Sequence, residues 1–232
     1  MTDNADTLRR NPRLPRGVNR LPRDEVLRVQ RERLIEGMGR AVSQRGYADT
    51  AVSHVLAEAG VSRAAFYTLF KDKEDCFLQG FQMLSERHLR HVEEAMQRET
   101  NLPGQLQAAL HAYLAVLDLD EHLARAFVVE AEAASPAIRA AFLTVGDRLE
   151  RMIGDWHGRV RAAWPEVPVR SAMVLHALRE GLAGIVIGRV QAGGGAVTTE
   201  LRQVVTLVHA ALGLYRWAAL CEQGEPVSGT PC

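Results

Sequence analysis

The stretch from Val52 to Phe70 constrains the fold most. Two segments of about eight residues, Val52 to Ala59 and Ser62 to Phe70, carry apolar residues at helical spacing and are parted by Gly60 and Val61. Helices this short do not hold together alone in water, so each must be fixed by the other and by a neighbour. Val52, Val55, Leu56 and Ala59 give the first an apolar face, Gly60 permits a tight turn, and Val61 plugs the angle between the two. Phe66 and Phe70, four apart, anchor the second, with Ser62 as its N-cap. That anchoring turns Arg63, Ala65, Tyr67 and Thr68 outward, with Leu69 at the edge. A face mixing guanidinium, methyl, phenol and hydroxyl groups suits a DNA major groove.

The rest of the chain reads as helix. Val26, Leu27, Leu34, Ile35, Met38, Ala41 and Val42 predict a helix from Asp24 that stops at Gly46. After Asp72 a long amphipathic helix runs from Lys73 to about Arg98, ending before Asn101-Leu-Pro-Gly104. Further helices are predicted at about 103–118, 120–134, 136–163, 169–192 and 198–222, separated by Asp, Ser-Pro, Trp-Pro and Gly-Gly-Gly breaks. Nothing reads as a strand. The predicted fold is all-α: an N-terminal three-helix helix-turn-helix domain followed by a C-terminal helical domain, to which the resemblance described below adds ligand binding and dimerisation. The divisions are 1–22, a flexible arginine-rich arm broken by prolines; 23–72, the helix-turn-helix; 73–222, the helical domain; and 223–232, a flexible tail.

Charge narrows the possibilities. Lys+Arg and Asp+Glu are 28 each, which excludes a uniformly basic coat for nucleic acid. The first 75 residues nevertheless hold 14 of the basic and 11 of the acidic groups, so positive charge gathers at the N-terminal end. Lys71 and Lys73 are the only lysines. The cysteines Cys76, Cys221 and Cys232 are odd in number and lack CxxC spacing, which suggests a reducing compartment. There is no apolar run of membrane-spanning length and no secretory h-region at the N-terminus, so a cytoplasmic protein without a membrane partner is expected.

Ala59-Gly-Val-Ser62, Phe66-Tyr67, Phe70 and Lys73-Glu74, in that order and spacing, resemble the DNA-binding domain of TetR-type (tetracycline-repressor-like) transcriptional regulators. The resemblance implies a ligand-responsive repressor acting as a homodimer on a pseudopalindromic double-stranded DNA operator, with an unknown small-molecule effector and no cofactor. By position it implies phosphate contacts from Thr50, Tyr67 and Lys73, a cap and phosphate donor at Ser62, and base contacts from Arg63, Ala65 and Thr68. Arg63 suits bidentate contact with guanine. Ala51, Ala65 and Leu69 depart from the family's more polar residues, leaving contact with thymine methyls open there. Beyond residue 74 the resemblance is one of layout. It implies a four-helix dimer interface from the last two helices, where Gly181, Gly184 and Gly188 share one ridge. It also implies an effector cavity among the middle helices, for which Met83, Tyr113, Phe127, Met152, Trp156, Met173 and His176 are lining candidates, with plain core packing as the alternative at each. Glu130 and Arg179 are charged residues on apolar segments that stand either toward a ligand or on the surface.

An enzyme has no positive support. No histidine has an acidic residue three positions before it, as a di-iron carboxylate site requires, and no GxSxG, GxxxxGK[ST], HExxH or GxGxxG string occurs. His88 and His91 share a helix face at i, i+3, a spacing open to a metal ion, and read as a solvated pair on an arginine- and glutamate-rich helix. The alternative to a regulator is a helical protein that binds a small molecule or partner and retains the head as scaffold.

Overall fold

The computed structural model describes residues 22–118, 120–193 and 197–214. All regular structure among them is helical. The head comprises α1 (Arg23–Asp49), α2 (Val52–Ala59) and α3 (Arg63–Leu69); α4 (Lys73–Gln97) leads from it into the body. There follow α5 (Leu102–Leu114) with a 3-10 turn (Ala115–Asp118), α6 (Glu121–Ala124), a π-helical turn (Arg125–Val129), α7 (Ala131–Ala134), α8 (Pro136–Ala163), α9 (Ala172–Gln191) and α10 (Val197–Leu212). The arginine-rich arm up to Leu21, Cys221, Cys232 and the expected tail lie outside the described residues.

Local chemistry sets the boundaries. Asp24 and Glu25 occupy the first turn of α1, where carboxylates offset the exposed amide dipoles. Gly46 breaks that helix, its φ of 76° lying where an L side chain is strained. Asp72, Asn101 and Ser135 cap α4, α5 and α8 by accepting backbone N–H bonds from Asp75, Gly104 and Ile138.

Two predicted helices end differently. The one expected over 120–134 is divided by the π-helical turn, which sets Phe127 against Phe77 at 4.7 Å between ring centroids. Gly80 leaves room for this ring, since a Cβ there would meet Phe127 Cζ at 3.0 Å. The helix expected to reach 222 stops at Leu212, because Gly213 turns to φ 74° beneath Pro168. Ser171 caps α9 by accepting from Val174 N–H, so that helix starts at Ala172 rather than 169.

Two apolar cores result. One joins Leu34, Met38, Val55, Phe66 and Phe70 of the head to Phe77 and Phe81 of α4, Phe127 and Ile138. The other packs Leu110, Trp156, Leu182, Val186, Val208 and Leu212 in the body. Fully burying one phenylalanine side chain is worth about 1.5–3 kcal/mol, so Phe66 alone supplies a sizeable part of what holds the short α3 in place.

Candidate nucleic-acid interface and effector cavity

The head presents α3 as a carried helix. Gly60 takes the left-handed conformation at φ 61°, and its N–H donates to Leu56 O at 2.9 Å, which closes α2. His54 Nδ1 accepts the Ala51 N–H at 3.2 Å and fixes the other end of that helix. Ser62 Oγ accepts the Ala65 N–H at 3.2 Å, the cap predicted for α3. Phe66 and Phe70 are buried, while Arg63, Tyr67 and Thr68 face solvent and Ala65 lies half-buried between them. Tyr67 is 51% exposed, unusual for a ring of its size. Thr68 Oγ1 donates back to Ala64 O at 2.9 Å and keeps its lone pairs for an incoming donor.

Thr50 and Lys73, two of the expected phosphate contacts, both make hydrogen bonds within the head. Thr50 is only 3% exposed, and its hydroxyl donates inward to Gly46 O at 2.7 Å, which locks the broken end of α1. Lys73 Nζ donates to Tyr47 O at 2.8 Å and sits 4.2 Å from the centroid of the Tyr47 ring. The ammonium thereby holds the start of α4 against the end of α1, with spare donor capacity for an anion.

The head is tied to the body at the same place. Glu130 Oε2 accepts the Tyr47 N–H at 3.2 Å, and His122 Nδ1 lies 3.1 Å from Ser43 Oγ. Glu130, taken from sequence as a residue for ligand or surface, is thus a link between body and head.

Inside the body lie two neighbouring cavities. The larger, about 140 Å³, is lined by Phe81, His88, Tyr113, Phe127, Phe142 and Arg179 among others. The smaller, about 50 Å³, is bounded by Tyr113, Leu149, Met152, Trp156, Leu182 and Leu212 among others. Tyr113, Phe127, Met152 and Trp156 therefore stand on cavity walls. Met83, Met173 and His176 do not: Met83 is exposed on α4, Met173 is 79% exposed on α9, and His176 lies outside against Glu150 at 3.2 Å. A helical period places a residue on a helix but leaves the face open when both faces carry apolar groups.

His88 corrects the sequence reading. It is no solvated partner of His91, which is exposed, but lines the larger cavity, and its Nε2 is buried without a hydrogen-bond partner among the described residues. Burial, aided by the neighbouring His91, lowers its pKa to about 4, so the ring is neutral near pH 7. The signal was present in sequence, since Phe81, Leu84, Ser85, His88, Leu89 and Val92 form one stripe of α4. Arg179 is buried over Gly146, where a Cβ would meet Cζ at 3.1 Å. Its guanidinium faces Glu150 at 3.5 Å and Glu180, so its charge is already balanced. Among the described residues no group of three or more His, Cys, Asp or Glu side chains could hold a metal ion. No described helix is long and apolar enough to cross a membrane.

Comparison with known proteins agrees with this geometry. Residues 39–79, from the end of α1 into α4, match the profile of the bacterial regulatory proteins of the tetR family. The HTH-type transcriptional activator FasR of Mycolicibacterium smegmatis is 30% identical over 125 residues, which is 52% of this chain and 55% of that protein. The chain spans about half the length of the curated relatives it matches. A TetR-like transcriptional regulator from Rhodococcus sp. RHA1 superposes with a TM-score of 0.68 at 18% identity, covering 84% of this chain and 99% of that one. The regulator FadR from Bacillus subtilis, solved with stearoyl-CoA, gives 0.60 at 17% identity, covering 78% and 95%. A matched profile over the helix-turn-helix and a shared helical body with the same order of parts lead to one conclusion: residues 39–79 match the tetR family of bacterial regulatory proteins, and the described helices share the fold of solved regulators of that type.

Proposed function

We propose that the chain is a sequence-specific DNA-binding transcriptional regulator that acts as a homodimer, with an effector carrying an acyl chain as its ligand. The observation that carries the reading is the exposed face of α3, where Arg63, Tyr67 and Thr68 stand over the buried anchors Phe66 and Phe70. A helix held this firmly while spending its polar groups on solvent is built for a partner. Arg63 reads a base, Ala65 contacts a base edge, Thr68 accepts or donates beside it, and Tyr67 contacts phosphate. Ser62 and Lys73 add phosphate contacts at the ends of α3, while Thr50 keeps to its scaffold role.

One short helix reads few bases, whereas two heads about 34–36 Å apart read a pseudopalindrome. In support of the homodimer, Gly181, Gly184 and Gly188 meet nothing within 4 Å of an added Cβ, and Met173 and Ala177 are exposed on the same face of α9. The apolar cavities and the stearoyl-CoA held by the Bacillus relative support an acyl effector. The regulator acts as a repressor: the effector prefers a head spacing unsuited to DNA and lowers operator affinity by that preference and no more.

The test is selection of randomised duplex DNA on the purified protein. A recovered pseudopalindrome whose preference at one base is lost in Arg63→Ala, while Tyr67→Phe weakens all sequences alike, supports the assignment. A flat pool from folded protein overturns it in favour of a ligand-binding or partner-binding protein that keeps the head as scaffold.

A further inference from the structure

The two cavities have two residues in common, Tyr113 of α5 and Leu149 of α8. The larger is the one with polar groups on its wall, His88, Ser85 and Arg179 among them, and it borders the head through Phe127. The smaller reaches α10 through Val208 and Leu212 and is bounded by aliphatic side chains together with Tyr113 and Trp156. The arrangement is a chamber with a polar region, a partition, and an apolar space behind it.

The volumes give the partition its meaning. An apolar cavity of about 150 Å³ accommodates a benzene ring, so the larger chamber, about 140 Å³, holds about six to eight carbons of a chain. The space behind, about 50 Å³, is too small to serve by itself. Removing the phenol ring of Tyr113 would join the two and add roughly the room of a benzene. Each methylene then buried strengthens binding about fourfold, so a few more carbons change affinity by more than tenfold.

We propose that Tyr113, backed by Leu149, is the residue that sets the length of acyl chain the protein accepts. The ring stops a medium-length chain at the end of the larger chamber, and a longer chain must displace it. The inference rests on the acyl-effector reading above and adds the length that effector takes.

The experiment is calorimetric titration of the full chain with butyryl-, octanoyl-, lauroyl- and palmitoyl-CoA, for the wild type, Tyr113→Ala and Tyr113→Phe. Expected are a wild type that binds octanoyl-CoA most tightly and a Tyr113→Ala protein whose optimum moves to lauroyl- or palmitoyl-CoA, with more than tenfold gain for the latter. Tyr113→Phe should keep the wild-type order, because the ring and not the hydroxyl fills the space. If Tyr113→Ala fails to melt cooperatively, Tyr113→Leu replaces it and should shift the optimum in the same direction. An unchanged optimum in a folded variant, or a wild type that already prefers palmitoyl-CoA, overturns the assignment of Tyr113 and leaves the acyl reading standing. If no acyl-CoA binds to protein that still binds its selected DNA, the acyl reading falls and the assignment with it.

Discussion

The carboxylate of Glu130 accepts the backbone N–H of Tyr47 across 83 positions of sequence, at 3.2 Å. Tyr47 follows Gly46, where α1 breaks, and Glu130 follows the π-helical turn that carries Phe127 from the cavity wall to the Phe77 ring. One short path therefore joins the larger cavity to the head. Glu130→Ala should leave the N–H without its partner and destabilise the fold by about 1–3 kcal/mol. Glu130→Gln retains an acceptor oxygen and should lose less. The sharper readout is operator affinity with and without effector: in Glu130→Ala the ratio should shrink several-fold, in keeping with coupling changes of about 0.5–2 kcal/mol. An unchanged ratio would show that coupling does not pass through this bond.

Gly37 lies where α1 crosses α2. A Cβ there would meet Ala59 Cβ at 2.8 Å and the backbone atoms Ala59 N and Val55 O at 2.9 Å each, none of which can swing aside. Gly37→Ala should therefore force the helices apart and cost about 1–3 kcal/mol, despite alanine's better helix propensity. Gly158, on the exposed side of α8, has nothing within 4 Å of such a Cβ. Gly158→Ala should stabilise by about 0.5–1 kcal/mol. Denaturant midpoints of the two variants should thus move in opposite directions.

The contrast between these glycines bears on what can be read from sequence. The helix-turn-helix was legible because its parts are local: Ser62 caps a helix three residues away from the N–H it accepts, and Phe66 and Phe70 repeat on one face of the next turn. Element positions in the body were legible for the same reason, since Asp72, Asn101 and Ser135 mark helix starts. What each body residue faces was not. His88 and Met173 occupy similar-looking helical stretches, yet one lines the cavity and the other is exposed, a difference set by α5, α8 and α9 packing at long range. The π-helical turn was hidden too, because it arises from Phe127 fitting over Gly80, 47 positions away.

Buried His88 makes stability depend on pH. Its folded pKa of about 4 lies below the ordinary value of 6.5, because burial disfavours the charged ring. Above the ordinary value the ring is neutral in both states and the effect is absent. As pH falls from about 6.5 toward about 4 the unfolded chain binds the proton and the folded one does not, so stability is lost. The slope from this one group approaches about 1.4 kcal/mol per pH unit. His157, whose pKa is also lowered chiefly by burial, adds to it. Chemical denaturation of the wild type and His88→Gln across this range should show a shallower loss in the variant. Parallel profiles would mean that His88 is solvated when the chain is folded.

Met173 offers a test of the homodimer that leaves the single chain intact. It is 79% exposed at the start of α9, on the face that continues through Ala177, Gly181, Gly184 and Gly188. The three glycines meet nothing of their own chain within 4 Å of an added Cβ, so a second helix can approach that ridge closely. A methionine this exposed contributes little to the fold of its own chain, and Met173→Glu should change the unfolding free energy of the single chain by no more than about 0.5 kcal/mol. Across a two-fold axis the same substitution places a carboxylate, and its copy, where apolar surface is to be buried, at a cost of several kcal/mol. Sedimentation equilibrium should therefore show dimer dissociation strengthened by at least about tenfold in the variant, with operator affinity falling in step. A variant as dimeric as the wild type would place the interface on another face of the body.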